Sequence, residues 1–239
     1  MITRPFTIKH QPSRASGQIE LNVLLNDKVD AKLVIESIDR GIRSIESLAA
    51  LSPDPRSAGF SILDQTRIGN AFRWHLHCPL VDPSLLAKII NIVHGASLEN
   101  NSVKEITLVA GGADLDLKLA EGPKPLVASF PFEILNETEG PKLTVLLEFQ
   151  DVTTEEQRAP FVEAWDNFAT LAELGAFYDL EHPPGKAFAV ADHFPLFNAL
   201  EIVMRFERYK FDISHLSELF GAFSTLHRSS APVERVIVS

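Results

Sequence analysis

Arg73, His75 and His77 alternate along one short segment with Phe72, Trp74, Leu76 and Cys78. A period of two is that of a β-strand and sends the two sets to opposite faces of a sheet. The apolar set belongs under helices, and the polar set projects from the other face. Neutral imidazole can ligate a metal or carry a proton near neutral pH, and a guanidinium pairs with carboxylates. Two histidines alone do not hold a metal, which takes three or four ligands. Glu181, His182, Asp192 and His193 are further donors. Nothing in the sequence makes them converge, and Glu181-His182-Pro183-Pro184-Gly185 reads first as a turn. No metal and no cofactor are therefore expected. Strand alternation also points Cys78 away from both histidines, so its thiol is expected to be buried and inert.

Other chemistries lack their signatures. There is no G-x-x-x-x-G-K-[ST], no G-x-G-x-x-G after a strand, no H-E-x-x-H and no G-x-S-x-G. A second set of candidates, Asp64 with Asn70 and Asp192 with Asn198, falls where hairpin loops are expected. Asp and Asn satisfy their own backbone in such turns. The functional alternative is a pair of equivalent loops binding equivalent ends of one partner.

The chain has 239 residues, 45% hydrophobic and 23% charged, enough apolar material for a sizeable core. No stretch approaches the roughly 20 apolar residues of a membrane span. Residues 1–18 are polar without an apolar signal region, and a single cysteine excludes an intrachain disulfide. A cytoplasmic location and no membrane partner are expected. Residues 1–110 hold 12 Lys and Arg against 11 Asp and Glu, whereas 111–239 hold 10 against 21, a net of −11. That acidic half disfavours nucleic acid and suits a basic protein partner.

The second half repeats the first. Pro5–Ile8 matches Pro131–Ile134, and Leu21–Leu25 matches Leu143–Leu147; Glu36, Asp39 and Glu46 fall on Glu163, Asp166 and Glu173. Phe60, Asp64 and Asn70-Ala71 fall on Phe188, Asp192 and Asn198-Ala199, and Asp82–Leu86 falls on Asp212–Leu216. The matches keep their order, at shifts of 122 to 130 residues.

Each copy shows the same series: a buried strand, a helix with one apolar face, a hairpin, a second helix and a last strand. The first helices place Val34, Ile35, Ile38, Ile42 and Ile45, and Phe161, Trp165, Phe168, Ala169 and Ala172, on one side. Pro160 is expected in the first turn, where its missing N–H costs nothing. The second helices begin at Asp82 and Asp212 and bury Leu85, Leu86, Ile89, Ile90 and Val93, and Leu216, Leu219, Phe220, Phe223 and Leu226. The hairpin strands are expected at Phe60–Leu63 and Ala71–Cys78, and at Ala187–Ala191 and Ala199–Arg208, and residues 64–70 form the first loop.

This order resembles the ferredoxin-like β-α-β-β-α-β arrangement. The fold class is therefore α+β: a tandem duplication of a ferredoxin-like unit with an extra N-terminal strand in each copy, its antiparallel sheets carrying helices on one face. The first repeat spans 1–110. A linker over 111–129 carries a strand pattern at Asp114–Leu119, and the second repeat spans 130–239. The resemblance is to a fold that hosts many activities, so it implies none.

Two functional readings follow. The first is a non-enzymatic cytoplasmic protein that recognises a protein partner through an acidic or sheet surface. The second is an enzyme or small-ligand carrier with a pocket between the two sheets, lined by Arg73, His75, His77, Arg205 and Glu207. Duplication also predicts a monomeric pseudo-dimer or a weak homo-oligomer.

Overall fold

The computed structural model describes residues 5–13, 15–27, 31–53, 59–81, 83–98, 101–111, 130–137, 142–177, 189–196, 198–206 and 216–239. The first unit runs β1 (Thr7–Ser13), β2 (Gln18–Leu25), α1 (Ala31–Ala50), β3 (Ser61–Ile68), β4 (Ala71–His77), α2 (Pro83–Ser97) and β5 (Val103–Gly111). The second runs β6 (Glu133–Asn136), β7 (Lys142–Phe149), α3 (Glu155–Glu173), β8 (Ala189–Pro195), β9 (Ala199–Phe206), α4 (Ser217–Ser229) and β10 (Val233–Val238). The chain is α+β, with two five-stranded sheets ordered β1-β5-β2-β4-β3 and β6-β10-β7-β9-β8. In each, the last four strands of that order pair antiparallel and the extra first strand pairs parallel with the unit's last.

The units repeat one another in register as well as in order. Ile106 lies between Ile8 and Val23, and Val236 lies between Ile134 and Leu147. These pairs set β7 two residues further along against β2 than the match of Leu21–Leu25 to Leu143–Leu147 predicts. A shift of two keeps every side chain on its face, so the apolar pattern could not distinguish the two registers.

The first hairpin also departs from expectation. β3 continues through residues 64–68, and a two-residue turn at Gly69-Asn70 closes it. Gly69 has φ of 62°, as a glycine-first hairpin turn requires. A bulge lies between Ile62 and Asp64, where the Ile62 N–H donates to the Glu46 carboxylate on α1 at 3.0 Å.

Helix α3 begins at Glu155, one turn earlier than the repeat predicts, because Thr154 and Gln157 form a capping box. Pro160 therefore stands in the second turn and removes one bond of the helix ladder, correcting its expected first-turn place. Helix α4 begins at Ser217. The helix starts expected at Asp82 and Asp212, and the strand pattern at Asp114–Leu119, lie outside the described residues.

The two helical layers pack against each other, giving four layers in the order sheet, helices, helices, sheet. Trp74 under the first sheet donates its indole N–H to Asp39 of α1 at 3.4 Å, and α1 lies along α3. In turn α3 meets the second sheet through Phe161 against Phe149, ring centroids 5.3 Å apart. Trp74, Trp165, Phe161 and Phe168 are fully buried, and burying side chains of this size contributes about 1.5–3 kcal/mol each. The units close most tightly where α1 and α2 meet the turn after α3. A Cβ on Gly41 would lie 2.6 Å from Ile92 and 2.8 Å from Leu174, and one on Gly95 would lie 2.2 Å from the Leu174 carbonyl oxygen.

Gly95→Ala is accordingly expected to cost about 1–3 kcal/mol by urea unfolding, since backbone cannot step aside as a side chain can. Gly69→Ala meets no atom within 4 Å and bears only the left-handed backbone, about 1–2 kcal/mol. An unchanged midpoint for Gly95→Ala would show that the helices do not approach as described.

Candidate functional site

Strand β4 places Phe72, Trp74 and Leu76 under the helices, buried, and turns Arg73, His75 and His77 to the outer face. Pairing then supplies neighbours that the sequence does not announce. Glu20 of β2 stands opposite His75, and Asn22 stands opposite Arg73. The Arg73 Nε donates to Asn22 Oδ1 at 2.7 Å and lies 3.4 Å from Glu20 Oε1. Asn22 Nδ2 donates to that same oxygen at 2.8 Å, while His75 Nε2 lies 3.5 Å from Glu20 Oε2. Glu20 is thus the hub of a network whose charges are already answered locally. The signal for it was Ile19-Glu20-Leu21-Asn22-Val23, an alternation whose polar members share a face.

On the far side of His75, the register brings Asp64 of β3. Asp64 and Asp192 both lie in strands rather than loops, Asp192 opposite Val203. The expected pair of equivalent Asp-bearing loops is corrected to that extent. The two Asn residues do hold equivalent places: the Asn70 carbonyl accepts from Leu25 N–H at 3.0 Å, and the Asn198 carbonyl from Phe149 N–H at 2.9 Å. Asn70 Nδ2 also donates to Asp27 at 2.9 Å, tying the turn to the end of β2. These roles belong to the backbone frame.

Among the described residues, the pocket expected between the sheets does not form. Arg205 falls on β9, paired in register with Lys142 and Val190, in the second sheet. The helices of both units separate the outer face of that sheet from the face carrying Arg73, His75 and His77. The register positions of Arg205 and of those three residues therefore belong to different sheets, with helical layers between them. Glu207, Glu181 and His182 lie outside the described residues, as does the aspartate at 212. Among the described residues no group of three or more His, Cys, Asp or Glu could hold a metal ion. Cys78 is buried with its Sγ donating to the Leu80 carbonyl at 2.9 Å.

A groove of about 320 Å³ opens between α1 and α3, lined among others by Glu36, Asp39, Arg40, Arg43 and Asp166. Its cations are engaged: Arg43 Nε bonds Asp39 at 2.7 Å, and Arg40 lies 3.7 Å from Glu173. That hydrogen bond to Asp39, and then the carboxylate's charge, raise the Arg43 pKa above its ordinary value. At the edge of the first sheet, Lys9 pairs with Glu105 at 2.7 Å. The hydrogen bond from Lys9, against an opposing desolvation and aided by its charge, holds the Glu105 carboxyl below the ordinary carboxylate value.

No family model matches the chain, and no curated protein does. Among solved structures, a crystal structure of an unknown protein from Galdieria sulphuraria is 10% identical, covers 94% of this chain and 98% of that one, and has a TM-score of 0.23. A conserved protein from Enterococcus faecalis V583 is 9% identical over 95% of this chain and 79% of that one, TM-score 0.24. A predicted insulinase family protease from Yersinia pestis is 10% identical over 85% and 66%, TM-score 0.23. At these values the likenesses assign no family and no activity to this chain.

A carboxyl whose folded pKa is depressed stabilises above its unfolded pKa, and that contribution is lost as pH falls through the folded value. Lys9→Met should therefore raise the Glu105 pKa toward the ordinary carboxylate value in a carbon-13 NMR titration. It should also make the protein less sensitive to acidification through that range. An unmoved Glu105 titration would show that Lys9 does not set it.

Proposed function

We propose that this chain is a non-enzymatic cytoplasmic binding protein, a duplicated ferredoxin-like pair that recognises a basic protein partner through the acidic surface of its second unit. The observation that carries the reading is the division of charge along α3. Phe161, Ala164, Trp165, Phe168, Ala169, Leu171 and Ala172 bury one side, while Glu155, Glu156, Glu163 and Asp166 stay exposed on the other. The helix thus fixes an acidic stripe on a rigid support, within a half of the chain that carries a net of −11. Such a stripe raises the encounter rate with a basic partner and disfavours acidic ones. The networks around Glu20 and Asp39 fit this reading better than catalysis, because their charged groups already bond one another.

The monomeric state of the proposal has its own support. The helical faces that would otherwise seek a second copy are covered by the other unit. Light scattering is expected to report a monomer, and a concentration-dependent dimer would remove that part.

For the charge part, the immobilised protein is exposed to soluble cell proteins and washed from about 0.05 M to about 0.5 M NaCl, across which the screening length falls severalfold. The retained proteins should be basic, should elute as salt rises, and should be lost with E156K/E163K, whose circular dichroism stays that of the wild type. Retention indifferent to both salt and charge reversal would refute the reading.

A further inference from the structure

The two sheets have the same strand order, so each outward position of one has a counterpart in the other. In the first sheet, one outward row across the strands reads Lys9, Thr107, Asn22, Arg73 and Thr66. The same row in the second sheet reads Leu135, Ile237, Leu146, Glu201 and Phe194. Where the first sheet has five polar residues, the second has four apolar ones and Glu201. These are outward residues, because Val145, Leu147, Val236, Val238, Leu200 and Ile202 alternate with them and fill the core. Leu135, Leu146 and Ile237 are half-buried, and Phe194 is 47% exposed. Folding does not demand them, since polar side chains complete the equivalent face of the first unit.

The rim of this row is acidic. Glu133 and Glu148 border it on the next row with Arg235 between them, 2.9 Å from Glu148 and 3.9 Å from Glu133. Glu201 stands within the row itself, opposite Leu146 and Phe194. Among the described residues of these two rows, three carboxylates stand against one guanidinium, so the apolar row has a net negative border on that side. A second copy brought face to face would set these carboxylates against the same set, a like-charge juxtaposition that costs free energy. A surface with the opposite rim would meet both features.

We infer that the outer face of the second sheet docks a protein segment whose apolar side chains are flanked by Lys or Arg, with Leu135, Leu146, Phe194 and Ile237 receiving the apolar part and Glu133, Glu148 and Glu201 the cations. This rests on the binding reading above and adds to the α3 stripe a second contact surface, on the opposite side of the same unit. Apolar contacts at the centre carry the affinity and the rim charges select the partner.

The test transplants the first sheet's residues into the second: L135K/L146N/F194T/I237T, with Leu146→Asn alone and Glu201→Arg as milder companions should the fourfold variant not fold. The probes are two fluorescein-labelled synthetic peptides with one Leu- and Phe-rich centre, flanked in one by lysines and in the other by glutamates, read by fluorescence anisotropy. The wild type should bind the lysine-flanked peptide more tightly than the glutamate-flanked one by about tenfold or more. The fourfold variant should lose at least about that factor, the scale on which a central contact acts; Leu146→Asn and Glu201→Arg should each weaken it measurably.

Binding left intact in these variants but abolished by E156K/E163K would overturn the docking face while sustaining the general reading. Equal affinity for both peptides, or for neither, would also overturn it, and the salt-dependent retention described above would still decide the general reading. A wild-type dimer that the fourfold variant dissolves would give the face to a second copy instead. Flotation of the wild type, and not the variant, on phosphatidylcholine vesicles would give it to a lipid surface. Either outcome overturns the proposal.

Discussion

Gly41 and Gly95 let three helical segments approach more closely than any side chain would permit, and the arrangement of the molecule follows from that approach. Ile92 and Leu174 occupy the space that a Cβ would need. Around this contact α2 uses both sides. Leu86, Ile89, Ile90 and Val93 help fill the core of their own unit, while Asn91 donates to the Ala176 carbonyl and Lys88 pairs with Glu218 of α4. Polar groups at an otherwise apolar contact satisfy each other in one alignment and are stranded in others, so they disfavour a slipped packing. With the helical layers so joined, the outer faces of the sheets must point in opposite directions.

That orientation decides what chemistry the chain can assemble. Arg73 and His75 are left on an open sheet face whose charges are shared among Glu20, Asn22 and each other. Around Glu20 this face is wet, and the hydrogen bonds of Glu20, Asn22 and Arg73 are made within the sheet. The groove between α1 and α3 is similar in kind, its guanidiniums bonded to carboxylates of the same two helices.

The faces of the strands and helices were legible because period 2 and period 3.6 survive in the apolar residues. Val34, Ile38 and Ile42, Trp165 and Phe168, and Phe220 and Phe223 are all buried as their spacing implies. Registers were not legible: β7 slides by two residues against β2 without changing a single face. Extent also escaped where the signal was polar. β3 runs to Ile68 through exposed residues, and α3 starts at a Thr-Glu-Glu-Gln cap rather than at its first apolar residue. Glu20 was missed because its partners Arg73 and His75 come from another strand, more than fifty residues further along the chain. The orientation of the units did leave a trace, in a helix of fifteen residues with Lys88 as its one full charge. A helix apolar all round is buried on every side, and for α2 the second side had to be the other unit.

Because both units solve the same folding problem, each serves as a control for the other. Positions that must be apolar for the core are apolar in both: Trp74 and Ile202 under the sheets, Ile90 and Phe220 on the second helices. Outward positions carry no such requirement, and the first sheet fills them with Lys9, Asn22, Thr66 and Thr107. Leaving Leu135, Leu146, Phe194 and Ile237 at the matching places forgoes solubility and adds nothing to the core beneath. The proposed docking segment would make use of them, and the carboxylates of the neighbouring row would restrict its chemistry.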